Sequence, residues 1–339
     1  MSYRAPVNET LFFLEHCTSL PKLSAQMPDL SPDLVKSVLE EAGKFAGEKV
    51  APLNRVGDTE GTKFENGVVR MPKGWKETYK AWCEAGWQGL AAPADYGGQG
   101  LPNLINMACA EYWTSAAMAW ALGPLLTTAA IEAMHAHGSD VLKKKYLGKL
   151  VSGEWTGTMQ LTEPQSGSDL TQLRTRAVKQ ADGTYRLKGQ KIFISYGEHD
   201  MTGNIVHFVI ARLPDAPAGT KGISLFLVPK FLVKDDGSLG DRNDLRAASV
   251  EHKMGIHASP TCTMVYGDKG GATGWLIGKE HEGMRCMFTM MNRARLAVGL
   301  SGVSIAERAT QQALSYARER KQGKSTIIGY PDVKRMLLT

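Results

Sequence analysis

The sequence predicts an α+β multidomain chain: an N-terminal α-helical domain (residues 1–155), a middle antiparallel β domain (156–275) and the start of a C-terminal helical bundle (276–339). Three observations carry that division. Apolar residues recur at helical spacing up to about residue 155. From there to about residue 275 they gather in short runs bounded by Gly or Pro. After Gly283 the helical period returns and persists to about Lys321.

A chain of 339 residues has room for more than one core, and 43% apolar with 22% charged residues is the composition of a globular protein. Disorder and a fibrous glycine repeat are excluded as the main state. The formal net charge of +6 is spread out, without the dense basic runs of a nucleic-acid arm. It suits a polyanionic small molecule, such as a nucleotide or coenzyme A, and selects no partner. Cys17, Cys83, Cys109, Cys262 and Cys286 are odd in number and scattered, so they read as buried free thiols in a reducing compartment. The opening residues lack the apolar core of a signal peptide. The charge-free stretch Tyr112–Ile131 approaches a bilayer span in length, but Gly123-Pro124, Thr114, Ser115, Thr127 and Thr128 interrupt it. It reads as two buried helices joined by a turn, in a cytoplasmic protein.

Ser31-Pro32-Asp33 opens a helix, with a hydroxyl cap and a proline at the first helical position. Leu34, Val35, Val38, Leu39, Ala42, Phe45 and Ala46 form its apolar face, and Trp75, Tyr79 and Trp82 mark a later helix. Gly97-Gly98-Gln99-Gly100 reads as a turn, because no strand precedes it as a dinucleotide-binding loop requires. In the middle region Tyr185–Gly189 and Ile192–Ser195 follow the turn Asp182-Gly183. Ile205–Ala211 and Ile223–Val228 come next, at the spacing of a compact barrel or sandwich. Met284, Met287, Phe288 and Met291 open the last helical run, a methionine stripe that reads as core packing. That helix would extend about 60 Å. Pro331-Asp332 opens another. One long amphipathic helix and a short one cannot bury each other's faces, so the third domain reads as incomplete, a C-terminally truncated bundle.

The segment Met159–Leu170 ends a strand at Thr162 in a turn rich in Gly and Ser. Its N–H groups and hydroxyls can hold an anion or the polar edge of a ring, or simply cap a connection. Phe193 and Ser195 fall on one side of a strand. They could meet a flat heteroaromatic cofactor or belong to an ordinary half-buried strand. Glu163, before Pro164 at a strand end, reads as a structural hydrogen-bond acceptor rather than a base. His252 and His257 have no third ligand and do not make a metal site by pattern. On a long helix, Arg295 and Arg320 would by themselves be solvated charges.

Together these segments resemble the acyl-CoA dehydrogenase family from end to end. Thr162-Glu163-Pro164 with Gly167-Ser168-Asp169 matches its signature, and Phe193-Ile194-Ser195 its Trp-Ile-Thr/Ser strand. Ala94–Gly100, Glu251–His257, Leu276–Glu280, Asn292–Arg295 and Ala317–Lys321 match other family segments in the same order. The opening Tyr3–Pro6, Glu251–Cys262 and Met287–Asn292 resemble a large bacterial subgroup whose substrates include 3-(methylthio)propanoyl-CoA.

The resemblance implies FAD as cofactor, lined by Met159, Gln160, Leu161 and Thr162. It places Ser168 near the pyrophosphate and the acyl-CoA, and Phe193 in place of the usual Trp beside the isoalloxazine. Ile194 lies on the same strand, and Ser195 would present its hydroxyl to flavin N5. Arg295 would hold the CoA portion, with Asn292 where many members carry Asp. Arg320 would reach the FAD of a neighbouring subunit, which implies a homodimer or homotetramer. A family glutamine that contacts FAD falls at Pro331.

The reaction implied is α,β-dehydrogenation of an acyl-CoA thioester to a 2-enoyl-CoA. The substrate would be 3-(methylthio)propanoyl-CoA, in dimethylsulfoniopropionate breakdown, or another short- or medium-chain acyl-CoA. A carboxylate takes the α-proton, the β-hydrogen leaves as hydride to the flavin, and an electron-transfer flavoprotein takes the electrons. The family's usual glutamate base lies beyond residue 339, and its alternative beside the CoA-binding arginine is Ala294 here. No catalytic base is named, and the chain as given is expected not to dehydrogenate. Two other readings stay open: a catalytically silent flavin- or acyl-CoA-binding module, and a DNA-associated relative. No basic cluster with interleaved aromatics supports the second.

Overall fold

The computed structural model describes residues 3–27 and 29–339. Helices α1 (Val7–Cys17), α2 (Leu20–Gln26), α3 (Pro32–Phe45) and α4 (Ala51–Glu60) precede a hairpin of β1 (Lys63–Glu65) and β2 (Val68–Arg70). Helix α5 (Trp75–Glu84), the long α6 (Asn103–His137) and the short α7 (Asp140–Leu142) and α8 (Gly148–Val151) follow. Then come β3 (Trp155–Gln160), β4 (Arg176–Lys179), β5 (Tyr185–Ser195), β6 (Asn204–Arg212) and β7 (Ile223–Pro229). After them are β8 (Phe231–Val233), β9 (Leu239–Arg242), β10 (Leu245–Val250), β11 (Thr261–Tyr266) and β12 (Ala272–Ile277). Helix α9 (Gly283–Glu319), the short β13 (Lys321–Gln322) and β14 (Ser325–Thr326) and helix α10 (Pro331–Leu338) come last. The order is helical, β, helical, as the sequence predicts.

The residues group into two compact units. One holds the chain up to Asn54 with Pro102–Met118 and Ala297–Thr339; the other holds Arg55–Leu101 with Ala119–Leu296. In the first unit α3 starts as its sequence requires. Ser31 Oγ accepts from the Leu34 N–H at 3.1 Å, and Pro32 fills the first turn, where no N–H is needed. Val35, Leu39 and Ala42 are buried on its inner face, while Leu34 is turned outward. Phe45 meets Trp113 edge-on at 5.8 Å. Arg308 Nη1 donates to the carbonyls of Ser115 and Ala116, groups that lose their helical partners just ahead of a break.

That break corrects one expectation. Helix α6 leaves helical geometry at Ala117 (φ −157°, ψ 92°), not at Gly123-Pro124, and Pro124 lies within the helix. A proline there has no N–H to give Trp120 O. In the second unit the Tyr196 hydroxyl provides a replacement, lying 2.6 Å from Ala119 O and 3.4 Å from Trp120 O. Gly123 makes room for it, since a Cβ there would come within 2.9 Å of the Tyr196 ring. Tyr196→Phe is expected to cost about 1 kcal/mol, read as a lower urea midpoint at unchanged slope. Among the described residues α6 is the one helix long and apolar enough to cross a membrane, and 72% of its most apolar window is buried within the fold.

The main sheet runs β10-β11-β5-β12-β7-β6-β3, with β4 paired to β5 and β6. Its ladders are antiparallel except where β3 and β4 meet β6. Strand β6 alternates between two cores. Val206, Phe208 and Ile210 pack with Ala130, Ile131 and Met134 of α6 and with Met287 and Met290 of α9. Val209 and Ala211 face the opposite side, among Tyr185, Leu187, Phe226, Met264 and Tyr266. Close approach of α6 to β3 requires Gly157, where a Cβ would sit 2.3 Å from Ala130 Cβ. The Gly97–Gly100 loop spends its donors on itself: Gly98, Gln99 and Gly100 N–H donate to Pro93, Gly89 and Ala92 carbonyls. All five cysteines are free thiols. Cys17 is exposed and Cys83 half-buried, which corrects the expectation that all are buried.

Candidate functional site

The signature begins where β3 ends. Glu163 and Ser166 exchange backbone hydrogen bonds of 2.9 and 3.0 Å, closing a turn in which Pro164 takes the first central position. Glu163 is only 3% exposed. Its carboxylate accepts from Lys191 Nζ at 2.8 Å, Arg174 N–H at 2.7 Å, Thr175 N–H at 3.0 Å, the Thr175 hydroxyl and Gln165 Nε2 at 2.6 Å. Burial alone would raise its pKa, but the Lys191 ammonium and these donors outweigh it and hold the carboxyl below its ordinary range. A carboxylate so engaged is structural and has no capacity left to take a substrate proton. Lys191 is fully buried, and burial lowers its pKa to about 8 against the opposing pull of Glu163, so the pair is ionic at pH 7.

Strand β5 carries the second half of the site. Ser195 pairs with Thr261 and Ile194 with Cys262, but Lys191 with Met264, so β5 holds an extra residue in that interval. This is a β-bulge. Phe193 lies in it with φ +58°, and is 58% exposed. The bulge inverts the alternation: Leu187 and Lys191 are buried before it, Ile194 and Tyr196 after it. Phe193 and Ser195 therefore share the outer side. The Ile192 N–H donates to Thr162 O at 2.9 Å, and Lys191 Nζ donates to Leu161 O at 2.9 Å. Those two bonds join the end of β3 and the bulged segment into one ledge.

The other expected residues distribute as follows. Met159 and Leu161 are half-buried against the core that α6 and α9 share with the sheet, and Thr162 is half-buried beside them. The side chains of Gln160 and Ile194 point inward, so these two residues present backbone at the ledge. The alternation of β3 turns Thr156, Thr158 and Gln160 to the interior. There Gln160 Oε1 accepts from the Tyr266 hydroxyl, and its Nε2 lies 2.8 Å from His207 Nδ1. Ser168 is exposed in a loop fixed by Ser166 Oγ on Asp169 O at 2.7 Å and Thr171 N–H on Asp169 Oδ1 at 2.8 Å. Asn292 and Arg295 are exposed on α9, just past Met290 and Met291, which join the same core as Met159. Ala294 between them is buried. Arg320 belongs to the first unit, exposed, its N–H on Tyr316 O and its carbonyl receiving Ile327 N–H.

Sequence reasoning gave no role to Lys191, Thr175, His207 or Tyr266. An inward position on a strand could have pointed to Lys191, His207 and Tyr266; Thr175 lies just ahead of β4 and carries no such signal.

The model of the acyl-CoA dehydrogenase N-terminal domain matches residues 33–154, that of the middle domain 158–269 and that of the C-terminal domain 281–339. The short-chain-specific acyl-CoA dehydrogenase of Clostridium acetobutylicum is 31% identical over 294 residues, covering 86% of this chain and 69% of that one. The chain belongs to the acyl-CoA dehydrogenase family. Within that family, the 3-methylmercaptopropionyl-CoA dehydrogenase of Ruegeria pomeroyi is 50% identical over 349 aligned residues, 100% of this chain and 59% of that relative. The chain thus spans about three-fifths of that relative's length. A structure of acyl-CoA dehydrogenase complexed with FAD from Bacillus anthracis matches with a TM-score of 0.73 at 27% identity, over 91% of this chain and 48% of that one. The middle-domain match takes in every named residue of the ledge, and the C-terminal match takes in Asn292, Arg295 and Arg320.

Proposed function

We propose that the chain binds FAD on the ledge of β3 and β5 and serves the α,β-dehydrogenation of a short acyl-CoA thioester, 3-(methylthio)propanoyl-CoA above others. The observation that carries this reading is the bulge at Phe193. A bulky residue at positive φ stores about 1–3 kcal/mol of strain, and here it also holds an aromatic ring in water. A flat ring laid on that face gives both features a use. The residues fit such a group: an aromatic face, a hydroxyl two positions on, and an apolar flank from Met159 and Leu161.

When bound, FAD supplies the acceptor for the hydride that leaves the β-carbon. Phe193 would cover its ring system and Ser195 would donate to the ring edge. Ser168 would meet phosphate oxygens, and Arg295, one helical turn from Asn292, would bind the CoA moiety. Arg320 would serve the FAD of a second copy in a homodimer or homotetramer, with an electron-transfer flavoprotein as acceptor. No residue is assigned as base. Glu163 is consumed in structural bonds, and Ala294 offers no carboxylate.

The test is an anaerobic titration of the FAD-reconstituted protein with 3-(methylthio)propanoyl-CoA, followed in the visible spectrum. The expected result is bound flavin whose oxidised band shifts with the thioester and does not bleach, and a loss of that shift in Phe193→Ala. Bleaching would place a working base among these residues. A protein that retains no flavin overturns the reading.

A further inference from the structure

Beneath the ledge lies a buried lysine that the proposed chemistry does not use. From one point Lys191 Nζ reaches Leu161 O at 2.9 Å and the Glu163 carboxylate at 2.8 Å. The residue after it donates its N–H to Thr162 O, and the next is the bulged Phe193. An apolar side chain would fill the same interior position without removing a charge from water. It could not hold a carbonyl and a carboxylate together.

The two partners are unequally dependent. Glu163 keeps the Arg174 and Thr175 N–H groups, the Thr175 hydroxyl and Gln165 Nε2 if the lysine is removed. The turn's carboxylate is therefore anchored independently to Arg174 and Thr175, the residues that lead into β4. Beside the Ile192 N–H on Thr162 O, it is Lys191 that ties Leu161 and the Glu163 carboxylate to β5.

We propose that Lys191 is a positioning residue of the cofactor ledge: its ammonium clamps Leu161 and Glu163 to the bulged strand and so sets Leu161–Thr162 against Phe193–Ser195. The consequence for FAD rests on the flavin reading above; the clamp itself does not.

The test compares the wild type, Lys191→Met and the charge-neutral pair Glu163→Gln/Lys191→Met. The single variant strands a buried carboxylate, so its loss of stability says nothing about positioning. The pair removes both charges at similar volume, and its thermal midpoint is expected to return towards that of the wild type. Two readouts then separate clamp from packing: amide hydrogen exchange at Ile192 without cofactor, and the Kd for FAD. In the pair, Ile192 is expected to exchange about tenfold faster and FAD to bind about tenfold more weakly, the scale of one lost charge-assisted hydrogen bond. Wild-type exchange at Ile192 in the stable pair overturns the clamp. Faster exchange with an unchanged Kd for FAD overturns its role in positioning. A wild type that binds no FAD defeats the flavin reading alone, and the exchange rate still decides the clamp.

Discussion

Glu198→Ala is expected to destabilise the protein by about 3–5 kcal/mol, the range for breaking a buried ion pair by removing one partner. Glu198 is fully buried in the turn after β5. Its Oε1 accepts from Lys230 Nζ and, at 3.1 Å, from the His199 N–H, while Oε2 accepts from Arg242 Nη2 at 3.3 Å. Arg242 is 40% exposed in its side chain and can turn to water, but the Lys230 side chain is only 11% exposed. Truncation therefore takes the carboxylate from an ammonium that keeps the Phe231 ring at 5.7 Å, a contact worth far less than the lost carboxylate. Against a total of about 5–15 kcal/mol for a typical domain, that is a large fraction. Urea denaturation of Glu198→Ala and of Glu198→Ala/Lys230→Met checks it. The double variant is expected to regain much of the loss. If it is no more stable than the single one, the effect comes from lost packing and not from a stranded charge.

The alternation of helical and β regions was legible because each rests on local periodicity, and the signature turn was legible because its Pro, Gly and Ser residues have local conformational meaning. What the sequence hid depends on distant partners. Gly123-Pro124 reads as a helix break, yet the break falls at Ala117. The carbonyl that proline deprives of a donor finds the hydroxyl of Tyr196, far along the chain. Lys191 has the inward parity of Leu187, but a lysine alone gives no reason to be interior; Glu163, on another segment, neutralises it there. Spacing by two did put Phe193 and Ser195 on one side, but counted from Leu187 and Lys191 that side would have been the buried one. The bulge, set by pairing with β11, turns both outward. Gln160 stood among the cofactor candidates by position in a motif, whereas the alternation of β3 assigns its side chain to Tyr266 and His207.

The same interior makes the fold acid-sensitive well above the carboxylate range. From pH 7 to pH 5 the protein is expected to lose about 3–4 kcal/mol of stability through His199 and His207. Both are fully buried, and burial first, then the Lys230 charge, lowers each to a pKa of about 3. Hydrogen bonding agrees with neutral rings. His199 Nδ1 accepts from the Met201 N–H at 3.2 Å, which leaves Nε2–H to donate to Thr156 Oγ1 at 2.9 Å. His207 Nδ1 accepts from Gln160 Nε2 at 2.8 Å. Protonating either Nδ1 would remove an acceptor and place a charge beside Lys230 or Arg242. In the unfolded chain both rings titrate near the ordinary value of about 6.5. Below that pH the unfolded state binds more protons, so a contribution that is complete above 6.5 is lost as the pH falls towards 3. At about 1.4 kcal/mol per unit for each ring, the slope approaches about 2.7 kcal/mol per pH unit. Glu163, held below its ordinary range, yields only at lower pH, and Lys191, at about 8, titrates above this window. Urea midpoints at pH 7, 6 and 5 measure the slope. His199→Gln/His207→Gln is expected to start less stable at pH 7 and to lose most of the pH dependence. An unchanged slope in that variant would show that the acid sensitivity comes from other groups.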